Sequence, residues 1–399
     1  MRASFGKKVE FGIVTFYHEN YNFGGLLQAY ALPAALERYL NIASEQIDYL
    51  YVPKKQARAK EAISLKKIIY TAGFLFFNQL AKNNFAKRKA AFDRFAECIP
   101  HSVKRYDYNS ISDAKTVYKG FICGGDQIWT DCLRLNWFRI EDSNVFTLQF
   151  VPEDRKKIAY APSMAVQAFS DEFATEFSRG INRLDAISVR EESSLPVLKQ
   201  ITNKPITVVV DPVLLLEESD WLSEMRCPSN REKYVLCYLL GDSHEQRKAS
   251  KKFARKVNCR MMTFPHVLFN IVRKCDLFFG DIRDYASGPR EFLGLIKNAE
   301  FVITDSFHAC VFSMIFRTPF AVFERDKANR KSNMNSRIYD FLEEYHLERQ
   351  LVTEETLAGM NEIPKVDFSY AHQHWKRRRE ESLEYLRNAL KGSENGAEG

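Results

Sequence analysis

Residues 301–323 read FVITDSFHACVFSMIFRTPFAVF, and this order of apolar and polar residues decides the fold. A short apolar run ends at Thr304, apolar residues then recur at helical spacing, and the turn at 317–319 leads into a second apolar run. The order predicts a strand, a turn, a helix and a second strand, which is the repeating unit of a parallel α/β sheet. Either Asp305 or Ser306 is placed to cap the predicted helix.

His308 lies in the first turn of this predicted helix. The first backbone N–H groups of a helix have no partner within it, and the helix dipole is positive at that end. An anion would therefore be held well beside His308. The alternative from the residues alone is a surface or hydrogen-bonded histidine without a functional role.

Length and composition favour a globular protein of two domains. The chain has 399 residues, 45% hydrophobic and 27% charged, and no apolar run is long enough to span a membrane. Residues 1–8 lack the apolar core of a signal peptide, so we expect a cytoplasmic protein. The eight cysteines form no Cys-x-x-Cys pair, and Cys123, Cys237 and Cys310 lie in apolar runs, which favours buried free thiols.

The net charge of +7 is concentrated in one segment. Residues 54–94 contain eleven Lys or Arg against Glu61 and Asp93, and the apolar run IIYTAGFLFF occupies 68–77. We interpret 54–98 as a basic, aromatic, helical insertion that is suited to lie in the surface of an anionic membrane. The alternative is a pair of helices that pack their apolar faces inward and leave the basic face in solvent. Nucleic-acid binding is disfavoured because no stacking or groove-reading motif accompanies the charge.

Three further stretches predict strands, two of which deliver polar residues at their carboxyl ends. Residues 11–17 predict a first strand, followed by a glycine-containing turn. Residues 117–123 predict a strand that ends at the Gly-Gly-Asp-Gln run of 124–127, and residues 186–189 predict one that ends at Arg190. Open α/β sheets bind their ligands at such strand ends.

Asp126 and Arg190 each allow two interpretations. Asp126 is either a functional group at the crevice of the sheet or the cap of a turn or helix. Arg190 can grip a carboxylate or phosphate through two parallel hydrogen bonds, or it can form a structural pair with Glu191 or Glu192.

The alternation of strands and helices divides the chain into four parts. We expect an N-terminal Rossmann-like domain over 1–210, which carries the insertion 54–98. A C-terminal Rossmann-like domain follows over 211–350. A helical extension follows over 351–390, and 391–399 is predicted to be a disordered tail.

Many of these stretches resemble the signatures of the polysaccharide pyruvyl transferase family, and the resemblance covers most of residues 9–345. The run TDSFHA at 304–309 is similar to the C-terminal signature, and GGDQIW at 124–129 resembles a second signature. The remaining matches are NFGG at 22–25 with LQAYAL at 27–32, YAPS at 160–163, SVREES at 188–193, PREF at 289–292 and NSRI at 335–338.

The resemblance implies two Rossmann-like domains facing a cleft, similar to the B-type glycosyltransferase fold. It places the acceptor on the side of the domain 1–210 and the donor on the side of the domain 211–350. It also implies transfer of pyruvate from phosphoenolpyruvate to two hydroxyls of a sugar as a cyclic ketal, in the synthesis of a bacterial capsular polysaccharide or exopolysaccharide. The candidate catalytic residues are His308 and Asp126. The candidate donor-binding residues are Arg190, Ser306, Phe307, His308 and Arg337. The candidate acceptor-binding or cleft residues are Asn22, Gly24, Gly25, Gln28, Gly124, Gly125, Asp126, Gln127 and Ser163.

One departure from the family pattern affects the charge of the site. Some relatives carry Arg where this chain has Ser306, so Arg337, Arg325 or Lys331 is expected to supply the missing charge. The sequence shows no metal-binding cluster and no nucleotide-binding lysine motif, so we expect neither a metal nor a cofactor.

The expected partner besides phosphoenolpyruvate is a lipid-linked oligosaccharide, such as one with terminal galactose. The basic insertion would reach it by peripheral contact with the inner face of the cell membrane. Two alternatives remain: a nucleotide-sugar-dependent glycosyltransferase of the same architecture, and a non-catalytic sugar-binding protein.

Overall fold

Two parallel β-sheets, each packed against helices, form the framework of the chain. The structure is a computed structural model that describes residues 8–51, 83–135, 138–164, 168–227, 232–265, 267–268, 271–325 and 335–391. The fold is therefore α/β with two Rossmann-like domains, as the sequence predicts.

The N-terminal sheet is built from short apolar strands. They are β1 (Phe11–Val14), β2 (Ser44–Gln46), β3 (Gly120–Gly124), β4 (Lys156–Tyr160), β5 (Ala186–Val189) and β6 (Ile206–Val208). All are parallel, in the order β2-β1-β3-β4-β5-β6. The sequences FGIV of β1 and GFICG of β3 are fully buried, as expected for strands covered on both faces.

The C-terminal sheet repeats this plan. Its strands are β7 (Tyr234–Tyr238), β8 (Arg260–Thr263), β11 (Ile282–Arg283), β12 (Phe301–Thr304) and β13 (Phe320–Val322), and a separate antiparallel pair is formed by β9 (Val267–Leu268) and β10 (Ile271–Val272). The five parallel strands lie in the order β11-β8-β7-β12-β13. The stretch 301–323 thus forms a strand, a helix and a strand, as predicted.

The described helices connect the strands and cover the sheets. They are α1 (Phe23–Leu40), α2 (83–96), α3 (Cys132–Leu135), α4 (Ile140–Phe146), α5 (Asp171–Ile181), α6 (Leu195–Leu198), α7 (Glu218–Glu224), α8 (His244–Lys256), α9 (Pro289–Lys297), α10 (Phe307–Ile315), α11 (Ser336–Glu344), α12 (Glu354–Gly359) and α13 (Ser369–Leu390). Asn22 caps α1 by accepting a hydrogen bond from the Gly25 N–H. Helix α10 is buried along its whole length, which explains its apolar sequence.

In each sheet the first strand in sequence has later strands on both sides. Strand β1 lies between β2 and β3, and β7 lies between β8 and β12. The loops after β1 and β3 therefore leave the sheet on opposite faces, as do the loops after β7 and β12. Such switch points open a crevice at the carboxyl ends of the strands, where α/β proteins bind ligands.

Helix α13 ties the two domains together. The Tyr385 hydroxyl donates to the carbonyl of Ala159 in β4 at 3.0 Å. At the other end of the helix, His372 Nε2 lies 2.8 Å from the carbonyl of Met314 in α10. The long helix of the predicted extension thus contacts both domains.

Helix α2 is the described end of the predicted insertion, and residues 54–82 lie outside the described residues. The helix buries Phe92, and it also buries Arg88, whose guanidinium lies 4.9 Å from the Phe23 ring and donates to the Pro265 carbonyl at 3.1 Å. Arg88, one of the eleven basic residues of 54–94, is therefore buried in the protein. In α2 the apolar face packs inward, which is the alternative that the sequence left open.

Other boundaries differ little from the predictions. The predicted domain boundary between 210 and 211 falls in the connection from β6 to β7. Cys123, Cys237 and Cys310 are buried free thiols. None of the helices in the described part of the chain is long and apolar enough to cross a bilayer. The predicted tail lies outside the described residues after Lys391.

Candidate functional site

The candidate site lies where the carboxyl ends of the two sheets face each other. Asp126 follows β3 and Arg190 follows β5 in the N-terminal domain, whereas His308 begins α10 and Arg337 begins α11 in the C-terminal domain. The structure brings all four predicted side chains into one cluster. Asp211, in the connection between the domains, completes it.

Arg190 is the centre of this buried charge cluster. Its Nε donates to Glu191 at 2.6 Å, and its two terminal nitrogens donate to Asp211 at 2.5 Å and Asp126 at 2.7 Å. The side chain is 2% exposed. The structural pairing with Glu191, one of the two interpretations of Arg190 from the sequence, is therefore present, and two further carboxylates join it.

Arg337 shares Asp126 with Arg190 and thereby joins the two domains. Its Nη1 donates to the same carboxylate oxygen that accepts from Arg190. The ring centroid of Phe307 lies 4.8 Å from the guanidinium carbon of Arg190 and 6.0 Å from that of Arg337, within the range of a cation–π contact. Phe307 thus helps to position both cations.

His308 is buried against the first turn of α1. A Cβ atom added to Gly24 would lie 2.0 Å from Nδ1 of the His308 ring, so the glycine makes room for the imidazole. On the other side, His308 Nε2 lies 3.7 Å from Asp211 Oδ2, beyond hydrogen-bond distance. Nε2 is buried with no hydrogen-bond partner among the described residues.

Two neighbouring guanidinium nitrogens share this property. The Nε atoms of Arg337 and Arg325 are buried without a hydrogen-bond partner among the described residues. Arg325 donates from Nη2 to the carbonyl of Asp305, directly before α10. Buried polar nitrogens are costly to leave unpaired, so three of them beside a helix N-terminus indicate a site for an anion.

The charges of the cluster shift the pKa values of its carboxyl groups. Burial alone raises the pKa of a carboxyl group, but the guanidiniums of Arg337 and Arg190 outweigh burial and hold the pKa of Asp126 below its ordinary range. At Asp211, Arg190 and His308 likewise outweigh burial and lower the pKa to about 2. At Glu191 burial prevails over Arg190, so the pKa is raised. An ion-paired Asp126 is a weak base, so the geometry gives no support to its predicted role as base.

Gln28 links two members of the charge cluster through hydrogen bonds. Its side-chain nitrogen donates to Asp211 at 2.5 Å, and its side-chain oxygen accepts from the backbone N–H of Asp126 at 3.1 Å. This predicted cleft residue is buried and links α1 to both carboxylates. Gln28 therefore positions Asp126 and Asp211.

The remaining predicted acceptor residues shape the loop after β3 and the start of α1. Gly125 has φ +112°, and a Cβ there would meet Thr15 Oγ1 at 2.5 Å, so a glycine is required. Ser163 is fully buried and fixes the loop through backbone bonds to Gly125 and Trp129. The others at this edge are Asn22, Gly24, Gly25, Gly124 and Gln127.

Asp305 does not cap α10, contrary to one of the two options from the sequence. Its carboxylate accepts from the backbone N–H groups of Leu240 and Gly241 at 2.7 and 2.6 Å. Ser306 occupies the cap position, but its side chain makes no capping bond. The first N–H groups of α10 are therefore left without a side-chain cap, and Asp305 instead binds the two switch-point loops of the C-terminal domain to each other.

Sequence reasoning missed Asp211 as a member of the site. It stands in the apolar run VVVDPVLLL at 208–216, which suggested only a crossing between domains. A charged residue within such a run is the one signal that could have identified it, since an unpaired carboxylate is rarely buried.

We predict that Gly24→Ala disturbs the site by displacing the His308 ring. Alanine favours a helix over glycine by about 1 kcal/mol, but overpacking a buried position costs about 1–3 kcal/mol, so a net loss of stability is expected. Chemical denaturation would measure it. Gly359→Ala is the matched control, because a Cβ there meets nothing within 4 Å. Equal stability changes in both variants would contradict the tight contact at Gly24.

Within the described ranges, no group of three or more His, Cys, Asp or Glu side chains is placed to hold a metal ion. The absence of a metal or cofactor from the reaction stays a prediction.

Several solved structures resemble the chain over most of its length. The UDP-GlcNAc 2-epimerase from Neisseria meningitidis, bound to UDP-GlcNAc, is 12% identical, with 95% of this chain and 99% of that chain covered and a TM-score of 0.45. The UDP-GlcNAc 2-epimerase from Methanocaldococcus jannaschii is 12% identical, with 93% and 99% covered and a TM-score of 0.47. The wall teichoic acid polymerase TagF is 11% identical, with 95% and 90% covered and a TM-score of 0.43.

A search of curated protein sequences finds no significant match to the chain. A family model, described as polysaccharide pyruvyl transferase, matches residues 22–327. The matched range contains Gly24, Asp126, Arg190, Asp211 and His308, and it ends before Arg337. Because it spans most of the protein, the chain belongs to the polysaccharide pyruvyl transferase family.

Proposed function

We propose that the protein transfers pyruvate from phosphoenolpyruvate to two hydroxyls of a sugar, forming a cyclic ketal. Membership of the family supports a pyruvyl transferase of polysaccharide synthesis. The observation that carries the donor assignment is the set of unpaired buried N–H groups of His308, Arg325 and Arg337 at the uncapped N-terminus of α10. Phosphoenolpyruvate carries a phosphate and a carboxylate, and both anions suit such donors.

The proposed reaction needs an acid, and the imidazole of His308, when protonated, can supply it. Its Nε2 lies 3.7 Å from Asp211 Oδ2 and has no hydrogen-bond partner among the described residues.

The proposed reaction begins when His308 donates a proton to the methylene carbon C3 of phosphoenolpyruvate. C3 becomes a methyl group, and C2 becomes electron-deficient and bonds to the first sugar hydroxyl oxygen, whose proton passes to a base. The bond from C2 to the phosphate oxygen then breaks, and phosphate leaves with the electron pair. The second hydroxyl oxygen bonds to C2 and loses its proton, which closes the ketal. Arg325 and Arg337 stabilise the departing phosphate.

Arg190 combines the two interpretations that the sequence left open. Each of its three side-chain nitrogens already binds a carboxylate, although each terminal nitrogen retains a second N–H. We therefore propose that Arg190 fixes Asp126 and Asp211 and contacts the donor only through those remaining N–H groups.

Stabilisation by ligand would test the donor. Phosphoenolpyruvate should raise the melting temperature, since a ligand at a hundred times its dissociation constant adds about 2.7 kcal/mol to the stability of the folded state. Arg337→Gln should abolish the shift, whereas Arg349→Gln, on an exposed turn, should keep it. A shift with UDP- or GDP-sugars but none with phosphoenolpyruvate would replace the proposal with the glycosyltransferase alternative. No shift with either class would favour the non-catalytic alternative.

The proposed acceptor is a lipid-linked oligosaccharide, for example one with terminal galactose, at the inner face of the cell membrane. The support is the excess of basic residues over 54–94, of which Lys87, Lys89 and Arg94 are exposed on α2. Basic residues near an anionic membrane each contribute about 1 kcal/mol to binding.

Vesicle binding would test this contact. Replacing Lys66, Lys67, Lys87, Lys89 and Arg94 with glutamine should weaken binding to phosphatidylserine vesicles by at least about tenfold. Replacing the exposed Lys248, Lys251 and Lys252 of α8 removes charge elsewhere and should have a smaller effect per charge. Equal losses per charge would show that net charge alone drives the binding.

A further inference from the structure

A second histidine lies in the loop that follows β1, and a carboxylate holds its ring. His18 lies in the loop from β1 to α1, with its Nδ1 2.6 Å from Asp48 Oδ1. The other oxygen of Asp48 accepts from Arg105 Nε at 3.1 Å, and the Asp48 N–H donates to the Ser102 hydroxyl at 3.0 Å. Asp48 is therefore held by three hydrogen-bond partners, His18, Arg105 and Ser102.

The carboxylate sets the tautomer of His18. A carboxylate accepts hydrogen bonds, so the proton of a neutral His18 ring resides on Nδ1 and Nε2 carries the lone pair. Nε2 has no partner in the described part of the chain and is not sealed from solvent. A histidine oriented by a carboxylate, with its second nitrogen free, has the arrangement of a general base.

The loop that carries His18 belongs to the switch point of the N-terminal sheet. Thr15, at its start, is packed against Gly125 of the loop after β3, and Gly24, at its end, is packed against His308. Asn20 stiffens the loop by donating from its side chain to the Phe16 carbonyl at 2.6 Å. His18 thus lies in the loop between Thr15 and Gly24, the two residues of this segment that pack against the candidate site.

The proposed reaction also requires a base that the cluster does not supply. Asp126 is paired with two guanidiniums, and Asp211 is bound by Arg190 and Gln28. A base for a sugar hydroxyl should lie on the acceptor side of the cleft and apart from the donor anion, so that it is not neutralised by the same cations.

We infer that His18 is the base for the acceptor hydroxyl and that Asp48 is its positioning residue; this inference rests on the proposed function. As the oxygen of the first hydroxyl bonds to C2 of the donor, its proton moves to His18 Nε2. The resulting imidazolium is stabilised by Asp48 and returns its proton to solvent. Donor binding does not involve His18.

Phosphate release from phosphoenolpyruvate with p-nitrophenyl β-galactoside as the acceptor would test the inference. His18→Gln should lower the turnover number by about 10²-fold or more and leave stabilisation by phosphoenolpyruvate unchanged. The control is His101→Gln, since His101 lies beside Tyr17 with its Nδ1 on the Ile99 carbonyl rather than on a carboxylate. Turnover of His18→Gln within about threefold of the wild type would overturn the inference.

A second measurement separates positioning by Asp48 from a structural role. Histidine-labelled ¹⁵N NMR at neutral pH should show His18 as the Nδ1–H tautomer, and Asp48→Asn should change the tautomer and lower turnover without changing stabilisation by phosphoenolpyruvate. A wild-type His18 with its proton on Nε2 would overturn the inference. Absence of stabilisation by phosphoenolpyruvate in the wild type would instead remove the proposed function, and this inference with it.

Discussion

His308→Gln is expected to lower turnover with phosphoenolpyruvate by about 10²- to 10⁴-fold, the usual contribution of general acid catalysis. Glutamine is close to histidine in size and keeps a hydrogen-bond donor, so it fits beside Gly24, but it cannot deliver a proton at neutral pH. The protein should stay folded, because the His308 ring makes no hydrogen bond through Nε2 among the described residues that the variant would lose. Single-turnover phosphate release would measure the chemical step.

The interpretation of this result depends on two comparisons. His346→Gln, at a surface histidine stacked on Tyr370, controls for a general effect of the substitution. Stabilisation by phosphoenolpyruvate in His308→Gln separates binding from chemistry: retained binding with lost turnover assigns His308 to proton transfer. Loss of both would make it a donor ligand, and wild-type turnover would exclude it from the mechanism.

The strands that carry the site were predictable because each is marked by a short local pattern of apolar and polar residues. The runs that became β3, β5 and β12 are apolar, short and followed by polar residues, and parallel strands place such residues at one edge. Asp126, Arg190 and His308 could therefore be expected near one another from the sequence alone. Their approach to Arg337 depends on how the two domains meet, which no local pattern specifies.

The pairings within the site were not predictable for a related reason. Arg190 faces three carboxylates because β5, β3 and the connection after β6 converge in space, although the sequence places them far apart. Arg88 stands between Lys87 and Lys89, which are exposed, yet its position on the inner face of α2 buries it among Phe23, Phe264 and Pro265. The distribution of charge along the sequence does not distinguish a buried arginine from an exposed basic residue.

Arg190→Met is expected to destabilise the protein by about 3–5 kcal/mol, because it leaves buried carboxylates without their cation. The sequence left open whether Arg190 binds a ligand or forms a structural pair, and in the structure it pairs with Glu191, Asp126 and Asp211. Methionine keeps the length and most of the apolar volume of the side chain, so the loss measures the charge and not a cavity. Urea denaturation of the variant and the wild type gives the difference.

Two controls identify the source of this loss. Arg179→Met removes an exposed arginine paired with Glu176 and should change stability by less than about 1 kcal/mol. Combining Arg190→Met with Glu191→Gln should recover part of the loss, because one buried charge is removed along with its partner. If Arg190 stabilised the fold only through packing, adding Glu191→Gln would recover none of the lost stability.

The loss should also depend on pH in a defined direction. In the wild type the pKa of Asp211 is lowered to about 2, so its ion pair contributes stability that is fully present above the ordinary pKa near 4. That contribution disappears as the pH falls through about 2, where Asp211 becomes protonated in the folded protein too. The difference in stability between the wild type and Arg190→Met should therefore be largest at neutral pH and shrink as the pH falls towards about 2. A difference that stayed constant over this range would show that the carboxylates of the cluster do not depend on Arg190.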